Sequence, residues 1–226
     1  VDNVKLIECI NTWQGEGPDV GQRMLLCRFK YCNLRCPWCD TLVKMRAQQE
    51  AEYNIEQLQE IIDEEKVGLM ITGGEPTFNS GSHRQFTSTV NMLNNLQYPL
   101  ANVETNGFAL AELVSAVQSE KPVHYIYSPK LFNEKDLQGA ISKIQILIES
   151  IDYSNVYLKP VCEPTVQMTE FLKFLQHIKF PNNRVYLMIQ GSCREELLTN
   201  SPTVFDMAEE YKFNISGRSH LIYDFV

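Results

Sequence analysis

The chain has 226 residues, 44% of them hydrophobic and 21% charged, ordinary proportions for a globular protein with one sizeable core. Its formal net charge of -8, from 20 basic and 28 acidic residues, argues against a large nucleic-acid footprint, because binding a phosphate backbone needs a basic field. No run approaches the roughly 18 apolar residues of a membrane span, and the opening VDNVKLIEC lacks the basic-then-apolar order of a secretory signal.

Taken in chain order, RMLLCRFK (23–30) reads as a buried strand that leads into a cysteine-rich loop, YCNLRCPWCDT (31–41). Residues 54–65 follow a helical period, with Ile55, Leu58, Ile61 and Ile62 on one face. GLMIT (68–72) is a strand stopped by Gly73 and Gly74. A helix over 84–96 is predicted to turn Phe86, Val90, Leu93 and Leu96 inward. Strands at 99–105, 123–128, 155–161 and 184–190 alternate with helices at 109–117, 134–149, 169–178 and 203–211. Helices of this length serve as crossovers between parallel strands. The pattern predicts one α/β domain, with no internal repeat or linker, as either an open doubly wound sheet or a curved barrel. Both architectures place ligands at the carboxyl ends of the strands. The cysteine loop, TGGEP, ETNG, YSPK and IQGS fall at those ends.

Seven cysteines are present, an odd number for a disulfide scaffold. Cys32, Cys36 and Cys39 lie within eight positions as C-x3-C-x2-C, a grouping that suggests metal ligation in a reducing compartment, the cytoplasm by default. Thiolates favour zinc, copper(I) or iron–sulfur clusters. A structural zinc site needs a fourth ligand, for which Cys27 or Cys9 is available, although Cys27 in its apolar strand also reads as a small core residue. With three ligands, a four-iron cluster leaves one iron open to a chelating small molecule. Inert or redox-active thiols are the remaining reading.

Cys32-x3-Cys36-x2-Cys39 after a strand, with Gly73-Gly74-Glu75-Pro76 after the next, resembles the radical S-adenosylmethionine superfamily. The stretch TWQGEGPDVGQRMLLCRFKYCNLRCPWCDT (12–41) is similar to the opening of the 7-carboxy-7-deazaguanine synthase (QueE) family. TGGEP, ETNG, SPK (128–130), VYLM (185–188) and GRSHLIY (217–223) follow in the family's order. The resemblance implies a partial or modified (β/α)6 barrel of mostly parallel strands, with residues 1–226 as a single domain carrying an N-terminal substrate segment and a C-terminal tail. It implies a 4Fe-4S cluster on the three cysteines and S-adenosylmethionine on the open iron. Electron transfer then leaves methionine and a 5'-deoxyadenosyl radical. The implied reaction is ring contraction of 6-carboxy-5,6,7,8-tetrahydropterin to 7-carboxy-7-deazaguanine with loss of ammonia, assisted by magnesium, on the route to queuosine. An external electron donor and a homodimer are further implications.

By the same resemblance, Gly73, Gly74, Glu75, Glu104, Thr105, Asn106, Ser128 and Lys130 surround S-adenosylmethionine, and the Thr41 hydroxyl helps bind magnesium. Gln14, Glu16, Arg28 and His220 contact the substrate. Each has a plainer reading as well: a surface turn for Gln14 and Glu16, an internal salt bridge for Arg28, a loop-closing turn for Asp40 and Thr41, and solvent for Lys130. Trp38 and Tyr31 shield the cluster or simply pack. The chain departs from the family at Lys159, where glutamine is common, at Ile189-Gln190, where many members have Pro-Glu, and at its Tyr-Asp-Phe-Val end. Two other readings stand beside this one: a radical activase of a glycyl-radical protein, and a zinc-stabilised α/β binding protein without catalytic activity.

Overall fold

The computed structural model describes residues 3–39, 41–42, 47–150 and 152–225, so Asp40 and the last residue, Val226, lie outside the described residues. The chain divides into two compact units, Val1–Gln14 with Gln22–Tyr125, and Gly15–Gly21 with Ile126–Val226.

In the first unit, β1 (Val4–Leu6) pairs antiparallel with β4 (Ala51–Tyr53). The central sheet carries β2 (Glu8–Trp13), β3 (Arg23–Arg28), β5 (Gly68–Thr72), β8 (Ala101–Thr105) and β9 (Val123–Tyr127), in the order β9-β8-β5-β3-β2. β2 is antiparallel to β3, which places Cys9 opposite Cys27. β3 and β5 are parallel, with Leu25 beside Leu69, and so are β5 and β8, with Leu69 beside Ala101. Four consecutive buried residues in β3 and in β5 are what a parallel strand covered on both faces requires. Two short strands, β6 (Asn79–Ser80) and β7 (His83–Arg84), form a separate antiparallel pair.

The crossover from β3 to β5 uses α1 (Ile55–Glu65), which buries Leu58 and Ile62. Its start is a capping box: Gln57 N–H donates to Asn54 Oδ1 at 2.8 Å, and Asn54 N–H donates to Gln57 Oε1 at 3.0 Å. α2 (Gln85–Asn95) joins β5 to β8, and α3 (Leu110–Ala116) follows β8. Leu93 and Leu96 are buried as the apolar period of α2 predicts, but its first two turns depart from that prediction. Gln85, Thr89, Met92 and Leu93 are its buried residues, while Phe86 and Val90 are only partly covered. Two polar side chains take the inner face because each has a loop carbonyl to satisfy there.

In the second unit, β10 (Val156–Leu158) lies beside the end of β9, and β11 (Val161–Cys162), β12 (Tyr186–Ile189) and β13 (Asn214–Ser216) form a parallel sheet. α4 (Glu134–Ser150) and α5 (Val166–His177) bury Leu137, Ile144, Phe171 and Leu175. α6 (Arg194–Tyr211) runs through Pro202 and begins well before residue 203, where the sequence period starts it. The short α7 (Ser219–Tyr223) closes the described chain.

The fold is therefore mixed α/β with a mostly parallel central sheet, and among the described residues no sheet closes into a barrel. Among these residues no helix is long and apolar enough to cross a membrane. β5 begins at a glycine because nothing larger fits. A Cβ on Gly68 would lie 2.5 Å from Met24 Sδ and 2.8 Å from the Leu100 carbonyl oxygen. The thioether can swing aside, but the carbonyl belongs to the sheet. Gly68→Ala is expected to lower stability by about 1–3 kcal/mol, read as a shifted denaturation midpoint in urea with an unchanged slope.

Candidate active site

The cysteine loop leaves β3 through Phe29, whose N–H donates to Thr72 O at 2.9 Å and keeps the loop beside the end of β5. Tyr31 is the anchor. Its N–H donates to Gln85 Oε1 at 2.8 Å, and its carbonyl accepts from Gln85 Nε2 at 2.8 Å and from Glu75 N–H at 2.7 Å. Gln85 Nε2 also donates to Glu75 O at 2.6 Å. One buried glutamine thus clamps the cysteine loop to the GGEP turn. Gly74 makes the approach possible: its φ is +50°, and a Cβ there would lie 2.3 Å from Tyr31 O. Gly73, with φ +65°, packs as tightly against the Arg28 side chain.

Cys36 is buried, while Cys32 and Cys39 are partly exposed. Cys39 N–H donates to Cys36 O at 3.3 Å, a turn that brings the last two cysteines around. Cys32 Sγ accepts from Leu34 N–H at 3.4 Å and from Asn106 Nδ2 at 3.7 Å. Burial, the largest influence, raises the Cys32 thiol pKa, Leu34 N–H opposes that shift, and the charge of Glu75 adds to it. Among the described residues, no three His, Cys, Asp or Glu side chains converge on a single-ion site. Cys27 and Cys9, the possible fourth zinc ligands, instead hydrogen-bond to each other across the strands, and that bond with burial raises the Cys27 pKa. The donor set suits an iron–sulfur cluster: three thiols in one loop, two of them partly accessible, with N–H groups aimed at a sulfur.

Glu75 is 1% exposed. Its Oε1 accepts from Thr77 N–H at 3.0 Å, Thr77 Oγ1 at 2.6 Å and Thr105 Oγ1 at 2.5 Å. Its Oε2 accepts from Asn106 N–H at 2.6 Å. Both threonine hydroxyls in turn accept backbone donors, Gly107 N–H for Thr105 and Ala109 N–H for Thr77. Glu75 therefore ties the end of β5 to the end of β8 and to the start of α3. Asn106 continues outward and donates to Asn33 Oδ1 at 2.9 Å.

Three other predicted residues sit in this unit. The Arg28 guanidinium pairs through Nε with Glu8, and its Nη1 donates to Thr41 Oγ1 at 3.4 Å. The internal salt bridge and the approach to Thr41 thus occur together. Gln14 is buried, and its Nε2 donates to Asn102 Oδ1 at 2.9 Å and to Glu104 Oε1 at 3.4 Å. Tyr31 stacks on His83 with ring centroids 3.6 Å apart, and Trp38 is partly buried.

The second unit carries Glu16, Ser128, Lys130 and His220. Lys130 Nζ donates to Ser128 Oγ at 2.8 Å. Glu16 is gripped from two sides, by Lys159 Nζ on Oε2 at 2.6 Å and by Arg218 Nε on Oε1 at 2.9 Å, with His220 Nε2 3.9 Å from Oε1. Burial alone would raise its pKa, but Lys159, Arg218 and His220 outweigh that and hold the carboxyl far below the usual range. The QGEG segment is thus no surface turn. Gln85, Thr77, Asn102 and Lys159 were not anticipated as partners. They are polar residues inside apolar periods, and only their burial distinguishes them.

A family model described as a 4Fe-4S single cluster domain matches residues 14–151. The 7-carboxy-7-deazaguanine synthase of Hyperthermus butylicus is 27% identical, over 97% of this chain and 92% of its own length. That of Aquifex aeolicus is 26% identical, over 92% of each chain. The crystal structure of QueE from Escherichia coli superposes with a TM-score of 0.56 at 16% identity, covering 95% of this chain and 93% of that one, a likeness of fold.

Glu75→Gln tests the hub. An amide keeps the volume but turns a donor toward the donors of Thr77, Thr105 or Asn106, leaving buried groups unpaired. The expected loss is about 3 kcal/mol of stability, visible as a lower unfolding midpoint even in protein stripped of iron.

Proposed function

This chain belongs to the 4Fe-4S single cluster domain family, and we propose that within it the protein is a radical S-adenosylmethionine lyase, a 7-carboxy-7-deazaguanine synthase. It contracts 6-carboxy-5,6,7,8-tetrahydropterin to 7-carboxy-7-deazaguanine with loss of ammonia, a step toward queuosine and related deazapurines. One observation carries this reading: the three-cysteine loop is clamped through Tyr31 and Gln85 to the GGEP turn, in a chain similar over nearly its whole length to synthases of that name. Its fold is then a modified, partial (β/α)6 barrel, and the 226 residues work as one functional domain.

When bound, the cluster and S-adenosylmethionine supply the radical that removes hydrogen from the substrate. The protein's part is to bind, orient and shield. Cys32, Cys36 and Cys39 hold the cluster. Gly73 and Gly74, in the turn that Gln85 ties to the cysteine loop, would receive the cofactor's amino group. The segments at Glu104–Asn106 and Ser128–Lys130 flank it. Glu75 serves this site by holding the loops, because its carboxylate is enclosed by four donors of those loops.

On the substrate side, Arg28 and Thr41 lie within hydrogen-bond reach of each other, which suits recognition of one carboxylate. The guanidinium would meet it directly, and the Thr41 hydroxyl would help hold magnesium, an ion that prefers oxygen ligands. Gln14, Glu16 and His220 take the pterin's polar edge. Glu16, held ionised, accepts N–H groups. An external donor supplies the electron, the enzyme works as a homodimer, and a three-thiolate cluster in a chain whose seven cysteines are all free of disulfides suits the reducing cytoplasm.

The test is anaerobic turnover. Protein loaded with about four irons per chain and given reductant, S-adenosylmethionine, magnesium and the carboxytetrahydropterin should yield the deazaguanine acid by mass spectrometry. Cys36→Ala should lose both cluster absorbance and product. A fully loaded, reducible enzyme that makes no product overturns the substrate assignment. Stoichiometric zinc without iron or acid-labile sulfide overturns the radical chemistry altogether.

A further inference from the structure

Lys159 follows β10, and its N–H donates to Tyr127 O at 2.8 Å. Its side chain is only 3% exposed, and the ammonium lies 2.6 Å from Glu16 Oε2. A lysine of this length ordinarily carries its charge out to water. Burying it costs several kcal/mol unless a close anion repays the loss of hydration.

The backbone around Glu16 is held as firmly as its carboxylate. Gly17 N–H donates to Ser216 Oγ at 2.8 Å, and Gly15 O accepts from both Ser219 N–H and Ser219 Oγ at 3.0 Å. A Cβ on Gly15 would lie 2.2 Å from His220 Nδ1, so the imidazole is pressed against that glycine. Arg218 is fixed too, because its Nη1 donates to Gly191 O at 2.6 Å. Lys159, Arg218 and His220 are charged or titratable groups that face Glu16 and favour its ionised form.

We propose that Lys159 is a positioning residue for substrate recognition, locking the Glu16 carboxylate in one orientation and keeping it charged so that it accepts N–H groups of the pterin. This rests on the reading of Glu16 as a substrate ligand given above. Arg218 Nε meets Oε1 and Lys159 Nζ meets Oε2, so the two cations approach the carboxylate at different oxygens. With Lys159 on Oε2, both oxygens have fixed places, and a ligand with paired N–H donors meets acceptors already in position. The charge follows the same logic. Without Lys159, burial still favours the neutral acid while one strong opposing cation is gone. The Glu16 pKa then rises, and the carboxyl takes up a proton as pH falls through the new value.

The experiment uses anaerobically reconstituted full-length enzyme and measures KM and kcat for the carboxytetrahydropterin at about pH 6 and about pH 8. The variants are Lys159→Met, Lys159→Arg, Glu16→Gln and the double variant Glu16→Gln/Lys159→Met. Lys159→Met should raise KM by about tenfold at the higher pH and by more at the lower, with a smaller effect on kcat. Lys159→Arg should restore most of the loss. The double variant should match Glu16→Gln alone, since Lys159 acts through Glu16. Because it removes the anion together with the cation, it also keeps the test open if Lys159→Met alone fails to fold.

A KM for Lys159→Met equal to that of the wild type at both pH values overturns the proposal, as does a double variant whose loss is the product of the single losses. A wild type that loads its cluster and makes no product overturns the substrate reading instead, so the two failures are distinct.

Discussion

The buried carboxylate of Glu75 is the constraint on which the first unit's loops depend. It receives four donors from two strand ends, and each donor would be left unpaired without it. Its backbone carries the second half of the joint, since Glu75 N–H meets Tyr31 O and Gln85 Nε2 meets Glu75 O. The loops after β3, β5 and β8 therefore move as one body, with α2 supplying the clamp. Cluster and cofactor sites tolerate little misplacement of their ligands, and three separate loops would not hold them. The positive φ of Gly73 and Gly74 is the local cost of bringing the backbones so close.

Much of this was legible in the sequence, and the exceptions have physical reasons. The cysteine spacing and the strand–helix alternation show directly, because buried parallel strands are unbroken apolar runs. α2 was legible as a helix, with Leu93 and Leu96 inward, but not in the facing of its first two turns. Apolar periodicity turns Phe86 and Val90 inward, whereas the helix turns Gln85 and Thr89 inward to reach Tyr31, Glu75 and Pro76. β2 was missed because ECINTW is a partly exposed edge strand with no clean alternation, and β13 because three residues carry no period. α6 was found only in its second half, since Pro202 interrupts the apparent pattern. At Arg28 the plainer reading, an internal salt bridge, is what the structure shows: the guanidinium pairs with Glu8 and also lies within reach of Thr41.

The two buried carboxylates, Glu75 and Glu16, are satisfied in opposite ways. Glu75 is met by hydroxyl and backbone donors, which add no charge and serve a mechanical role. Glu16 is met by cations, which fix its ionisation as well as its direction. Neutral donors suit a strut, and ionic partners suit an acceptor that must stay charged when a ligand displaces water from around it.

Chain separation sharpens the contrast. The partners of the Glu75 carboxylate lie at most 31 residues away, so this part of the joint closes as β5, α2 and β8 come together. Lys159 and Arg218 lie 143 and 202 residues from Glu16. Contacts that distant carry a larger loop-closure cost and depend on the rest of the second unit having folded. No local motif around Glu16 can therefore reveal what holds it, and the grip on its carboxylate exists only once the end of the chain has returned to residues 15–17. Changes in α6 or β13 can in this way disturb the Glu16 carboxylate from a distance.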